Sequence, residues 1–296
     1  MLRTVLLATD LSARCDRALE RAVALVGERR ARLVILHVFA EFEESNFTYG
    51  RHVPPEWRAP ADAVQIATEH VRQGLYADAT EIVEQATVLV AAGEPADAIE
   101  RVAVVQNVDL VVTGIAREGP FASTPVVVGR TVARLLRRLA IPILIVRSRP
   151  RGPYDHVAVM SDFSEASAHA LRAALRLFPD QTVPVLHAFE APHSGTLDDL
   201  PRRVDDLKQT HEAELAGFVT ATIPSADDAG RLTRSAEYGQ PRQLVREWVR
   251  DRRADLVVLG TGSHGAMREA PIGSTAKSIL QSLPCDALLV RAPAMV

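Results

Sequence analysis

The chain repeats itself. Residues 5–20, VLLATDLSARCDRALE, align with residues 157–172, VAVMSDFSEASAHALR, which sets Asp10 on Asp162 and Ser12 on Ser164 at an offset of 152. Further blocks follow in the same order. LVILHVFA (33–40) matches VPVLHAFE (183–190), with His37 on His187 at an offset of 150. AGEPADAI (92–99) matches YGQPRQLV (238–245), and VDLVVTG (108–114) matches ADLVVLG (254–260), both offset by 146. GRTVARLL (129–136) matches GSTAKSIL (273–280), and ILIVR (143–147) matches ALLVR (287–291), both offset by 144. An unbroken order with a shrinking offset is the trace of a duplication followed by loop deletions. Between the copies lies SRPRGPYD (148–155), whose proline, glycine and charge suit a linker. Two domains are therefore expected, residues 1–148 and 155–296, and a length of 296 residues accommodates both.

Each copy alternates strands with helices. TVLLAT, LVILHV, DLVVTG and ILIVR are short apolar runs without polar alternation, as strands covered on both faces require. SARCDRALERAVALVGERR and PADAIERVAVVQ read as helices, the second with Pro95 at its first position. Strand–helix alternation predicts right-handed crossovers and a parallel sheet. Ligands of such sheets bind beyond the carboxyl ends of the strands, where strand order reverses. That rule points to Asp10, Asp162 and the segments after Gly114 and Gly260.

Bulk properties exclude several classes. A formal net charge of −3 gives no electrostatic footprint for nucleic acid or an anionic membrane. No apolar run approaches the roughly 18 residues of a membrane span. The start, MLRTVLLATD, reads as a first strand rather than a signal peptide. Cys15 and Cys285 are the only cysteines and make no disulfide framework. The expectation is a cytoplasmic protein with neither nucleic-acid nor membrane partners.

The ordered blocks resemble the universal stress protein family. The resemblance rests on ATD-x-S and SD-x-S at the first strand ends, on LHV and LHA at the second, on the G-x-P segment, and on a glycine-bearing loop leading to G-[ST] or its variant. It covers both halves. It implies two tandem Rossmann-like α/β domains, each a five-stranded parallel sheet of order 3-2-1-4-5 flanked by helices. It also implies an intramolecular pseudo-dimer packed through 142–147 and 286–291, with a homodimer as a further assembly. Many members bind ATP or a related adenine nucleotide through a G-x2-G-x9-G-[ST] loop, with magnesium as a candidate companion ion; others bind none.

The loops carry the anion chemistry. A helix N-terminus has N–H groups without intrahelical partners and the positive end of a dipole, so it attracts phosphate. The second repeat reads Gly260-T-Gly262-S-H-Gly265 and ends in Gly273-Ser274-Thr275. Gly260 to Gly273 keeps the family span, but Ser263 occupies the middle glycine position. In the first repeat Gly114 to Gly129 is two residues longer. There Gly119-x9-Gly129 keeps the later spacing, Ala116 replaces the first glycine, and Arg130 replaces the hydroxyl residue. The second repeat is thus the better nucleotide candidate.

Asp10 and Asp162 face either a base or ribose or a turn of their own making. By resemblance, the backbones of Val38 and Ala188 read the adenine. Ser12 and Ser164 read as helix N-caps. His37 and His187 lack i,i+4 partners and read as packed histidines rather than metal ligands. The long aromatic stretch 42–60 is a candidate partner-contact loop. No metal site and no catalytic base are evident. Two functions stay open: a non-catalytic, nucleotide-binding regulatory module of a stress response, and a stress-response scaffold that binds no nucleotide.

Overall fold

The structure is a computed structural model that describes residues 2–12, 15–39, 68–69, 71–72, 81–115, 128–191, 200–262 and 272–292. It divides into two compact units, one of Leu2–Ile115 with Arg149–Pro153, the other of Ala116–Ser148 with Tyr154–Val296.

The first unit contains β1 (Thr4–Thr9), α1 (Asp16–Arg29), β2 (Arg32–Phe39), α2 (Glu81–Glu84), β3 (Thr87–Ala92), α3 (Pro95–Val105) and β4 (Leu110–Gly114). Its strands are parallel in the order β3-β2-β1-β4. Consecutive residues Val5, Leu6 and Leu7 are all buried, so both faces of β1 are covered. Successive strand side chains point to opposite faces, which is why these strands carry no polar alternation. Helix α1 buries Ala18, Ala22, Leu25 and Val26, a single stripe at helical spacing.

The second unit contains α4 (Arg130–Arg138), β5 (Ile143–Val146), β6 (Val157–Ser161), α5 (Glu165–Leu177), β7 (Val183–Phe189), α6 (Leu200–Thr222), α7 (Ala226–Gly230), β8 (Leu232–Tyr238), α8 (Pro241–Arg252), β9 (Leu256–Thr261), α9 (Ser274–Ser282) and β10 (Asp286–Arg291). The second repeat's own strands run β8-β7-β6-β9-β10, the expected 3-2-1-4-5, and they are parallel. The sheet of this unit is not parallel throughout. Strand β5 pairs antiparallel with β10, with Leu144 opposite Leu288. The last helix and strand of the first repeat, α4 and β5, thus belong to the second compact unit although they precede the linker.

Repeated residues hold repeated joints. Asp109 Oδ2 accepts the N–H groups of Arg3 and Thr4 at 2.8 and 3.0 Å. Asp255 Oδ2 accepts those of Asp155 and His156 at 3.1 and 3.0 Å. Each aspartate pins the start of its repeat's first strand beside the fourth. The last arginine of each repeat also reaches the other repeat's final helix. Arg147 Nη1 donates to the Leu280 carbonyl at 3.3 Å, and Arg291 Nη1 donates to the Arg137 carbonyl.

One joint has no counterpart. Asp286 is fully buried. Its Oδ1 accepts the N–H groups of Arg147 and Ser148 at 2.8 and 2.9 Å, and its Oδ2 accepts the Tyr154 hydroxyl at 2.6 Å. At the shared offset of 144 the first repeat has Pro142, which cannot do this.

Candidate nucleotide site at the β6–β9 switch point

In the second repeat β7 and β8 lie on one side of β6, and β9 and β10 on the other. The order therefore reverses between β6 and β9, and ligands of such sheets bind at the carboxyl edge beside that reversal. Asp162 follows β6 there. Its Oδ1 accepts the N–H of Ser164 at 3.1 Å and also the Ser164 hydroxyl. Ser164 caps α5, its Oγ accepting the N–H of Ser167 at 3.1 Å. The residue between, Phe163, takes φ of 63°. The first repeat copies the turn but not the cap. Asp10 Oδ1 accepts the N–H of Ser12 at 2.9 Å and the thiol of Cys15 at 3.1 Å, and Leu11 has φ of 58°. Here the expectation for Ser12 is corrected: α1 starts at Asp16, and its N-cap is Cys15, not Ser12. Both aspartates therefore spend one oxygen on a local turn, as their residue type favours. Burial pushes the Cys15 thiol up, and the neighbouring Asp10 charge adds to that.

The glycines after β9 are close-packing positions. A Cβ on Gly260 would sit 2.5 Å from the Ala166 carbonyl carbon and 2.6 Å from the Ser167 nitrogen. Gly260 thus lets the first turn of α5 lie directly against β9. A Cβ on Gly273 would sit 2.8 Å from the Gly262 carbonyl oxygen, so these two expected loop residues are brought together. Gly273 is the N-cap of α9, in extended conformation and without a side-chain cap. Ser274 and Thr275, the first two helical residues, are exposed, and the first turn holds no acidic side chain. Gly129 caps α4 in the same backbone geometry, with φ of −61° against −60° at Gly273, but an exposed Arg130 follows it. Gly119 and Gly265 lie outside the described residues, as do Ala116, Ser263, His264 and the stretch 42–60.

Val38 and Ala188 each stand one residue beyond the first-strand ladder of their repeat. β1 pairs with β2 as far as Thr9 and His37, and β6 pairs with β7 as far as Ser161 and His187. The two histidines close those ladders. His37 Nδ1 lies 2.9 Å from the Thr9 carbonyl oxygen, and His187 Nδ1 2.9 Å from that of Ser161. Among the described residues no group of three or more His, Cys, Asp or Glu side chains is arranged to hold a metal.

The family model for universal stress proteins matches residues 1–147 and again 153–291. The chain belongs to the universal stress protein family. A relative in Staphylococcus epidermidis named for the same family is 35% identical over 60 residues, 20% of this chain and 36% of that one. The matched stretch thus spans about a third of the length of the curated relatives. A universal stress protein of Archaeoglobus fulgidus has the same fold, with a TM-score of 0.58 at 16% identity over 98% of this chain and 97% of its own. A protein of unknown function from Pseudomonas aeruginosa PAO1 matches with a TM-score of 0.62 at 16% identity, over 98% and 92%.

Of the family's glycine loop, this universal stress protein keeps Gly260 and Gly273 at their span, with Ser263 at the middle position. Gly260 and Gly273 are both needed for backbone packing whether or not a ligand is present. The N–H groups at the start of α9 are what remains for an anion. Sequence reasoning missed one group of residues near the Asp162 turn. Phe163, His187, Phe189, His211 and Phe218 meet as a ring cluster drawn from a turn, β7 and α6. No local motif announces it, because its members lie in separate segments. Among the described residues no helix is long and apolar enough to cross a membrane.

Proposed function

We propose that the second repeat binds an adenine nucleotide, ATP or a relative, and that the protein is a non-catalytic regulatory module of a stress response in the cytoplasm. The observation that carries this reading is the start of α9. It combines exposed Ser274 and Thr275, no acidic first turn, and a backbone fixed at the sheet's switch point by Gly273 against Gly262. Phosphate is favoured there by N–H groups and the helix dipole together. Asp162 and the Ala188 backbone would orient ribose and base, and Gly260 and Gly262 would hold the loop base. Magnesium in this reading travels with the phosphates, which supply most of its oxygen ligands. Magnesium nucleotide supplies no chemistry here beyond charge and shape: the residues bind and orient it. The pairing of β5 with β10 supports an intramolecular pseudo-dimer, and a homodimer of the whole chain is part of the same proposal.

The test is direct. Protein purified and heat-denatured releases nucleotide into the supernatant, and millimolar ATP raises the unfolding midpoint. Gly273→Val abolishes both, since its side chain would meet the Gly262 carbonyl. Absence of nucleotide together with no thermal response to ATP sinks the reading. A second reading, a scaffold that binds no nucleotide, is favoured by one specific fact: packing alone accounts for Gly260 and Gly273.

A further inference from the structure

His187 holds the residues on both sides of Asp162. Its Nδ1 lies 2.9 Å from the Ser161 carbonyl oxygen, and its ring stacks on Phe163 with centroids 4.1 Å apart and planes 24° apart. His211 of α6 lies 5.0 Å from the His187 ring and stacks on Phe189 at 4.7 Å. Phe218, two turns further along α6, lies 5.8 Å from Phe163. Helix α6 therefore meets the Asp162 turn through the His211–His187 pair as well as through Phe218 on Phe163. Among the described residues the first repeat shows no such arrangement at the same place. His37 meets the edge of Phe39 at 4.4 Å, and exposed Leu11 stands where Phe163 would be.

An imidazole is the side chain whose charge changes near neutrality. Two imidazoles in ring contact are compatible when at least one is neutral and repel when both are charged. Among the described residues the groups facing the pair are few. From the β6 turn comes Asp162, and from α6 comes Glu214, whose Oε2 is 3.1 Å from His211 Nδ1 but off the line of a hydrogen bond. From β8 come Tyr238, 6.0 Å from Phe189, and Glu237, which is 3.5 Å from Lys208. We propose that His187 and His211 form a proton-operated clamp on the Asp162 turn: the two rings in contact help hold α6 to the turn when His187 is neutral, and charging both rings weakens that hold.

The energetics agree with the geometry. Burial pushes the His187 imidazole below its usual value, the Ser161 carbonyl opposes this, and a charged His211 lowers it further against weaker pulls from Glu214 and Asp162. A histidine lowered in the folded state binds fewer protons there than in the unfolded chain. Its contribution is complete above the ordinary histidine value of about 6.5 and is lost as pH falls from there. His187 and His211 are positioning residues for Asp162. The clamp does not rest on the nucleotide reading.

Hydrogen exchange on the full chain, corrected for intrinsic rates, tests the clamp in the absence of nucleotide. Peptides covering 161–167 and 205–219 keep their protection from about pH 7.5 to about 6.5 and lose it as pH falls below that, the window in which a lowered histidine becomes charged. His211→Phe keeps a ring on Phe189 but cannot charge, so its loss across that window is much smaller. Equal losses in variant and wild type overturn the proposal. Should the variant not fold, NMR titration of wild-type His187 decides: titration below the ordinary histidine value supports the clamp, and titration at or above that value overturns it. Failure of ATP to shift the unfolding midpoint at any pH removes the nucleotide reading and leaves these outcomes unchanged.

Discussion

Asp286→Ala is the most informative single substitution in the scaffold. The native carboxylate has no solvent exposure and accepts three hydrogen bonds, from the Arg147 and Ser148 N–H groups and the Tyr154 hydroxyl. Hydrogen bonds to a charged group contribute about 1.5–3 kcal/mol each. The three together set a ceiling of roughly 9 kcal/mol on the same scale. Removing the charge also removes its desolvation penalty, which offsets part of that loss. A net destabilisation of about 3–5 kcal/mol follows, the range for breaking a buried charged contact. That is a large share of the roughly 5–15 kcal/mol that holds a folded protein together. Asp286→Asn separates geometry from charge. Its amide oxygen still accepts the two N–H groups, and its NH2 can donate to the tyrosine oxygen, so the cost is about 1–2 kcal/mol. Urea unfolding followed by circular dichroism reads both values, provided the slope with denaturant is unchanged. A loss under about 1 kcal/mol for the alanine variant would refute the reasoning, because burial and three bonds cannot be that cheap to abandon.

Gly260→Ala costs about 1–3 kcal/mol in the same assay, since its Cβ meets backbone atoms of α5 that cannot rotate away. Gly217→Ala is the opposite control. It lies exposed in α6 with open space where its Cβ would go, so the variant is more stable by about 0.5–1 kcal/mol. The Cys285 thiol is pushed up to about 12 by burial, and the Asp286 charge adds to that. Native protein therefore leaves it unmodified by a thiol reagent at neutral pH, and prior denaturation exposes it. Its raised value favours the fold below the ordinary thiol value of 9.0, and that contribution falls as pH rises toward 12, seen as an alkaline decline of the unfolding midpoint.

Much of this architecture is written locally. Runs such as LVILHV and DLVVTG specify strands buried on both faces, and the duplicated Asp109 and Asp255 sit at duplicated joints because the same backbone donors recur beside them. Asp162 and Ser164 were readable as turn and cap because those residue types act on their own neighbours. Ser12 was not, because the start of a helix depends on where the chain can bend, and α1 begins after Cys15. Gly260 and Gly273 looked like ligand residues in sequence. Only the fold reveals the α5 backbone and the Gly262 carbonyl that crowd them. The ring cluster was illegible for a different reason. Its members come from β7, α6 and a turn, and α6 is too polar along LPRRVDDLKQTHEAEL to advertise an aromatic face.

The antiparallel ladder of β5 and β10 is centred on Leu144 and Leu288, which are each other's repeat counterparts at the offset of 144. The register is thus self-complementary: the four-residue β5 meets its own repeat counterpart within the six-residue β10. Two separate single-repeat chains would use it as a homodimer contact and would come apart on dilution. Carried on one chain, the two strands meet at an effective concentration that dilution cannot lower. Each repeat is then released from having to match every other copy in the cell, and one can keep a hydroxyl after its loop glycine while the other takes up an arginine.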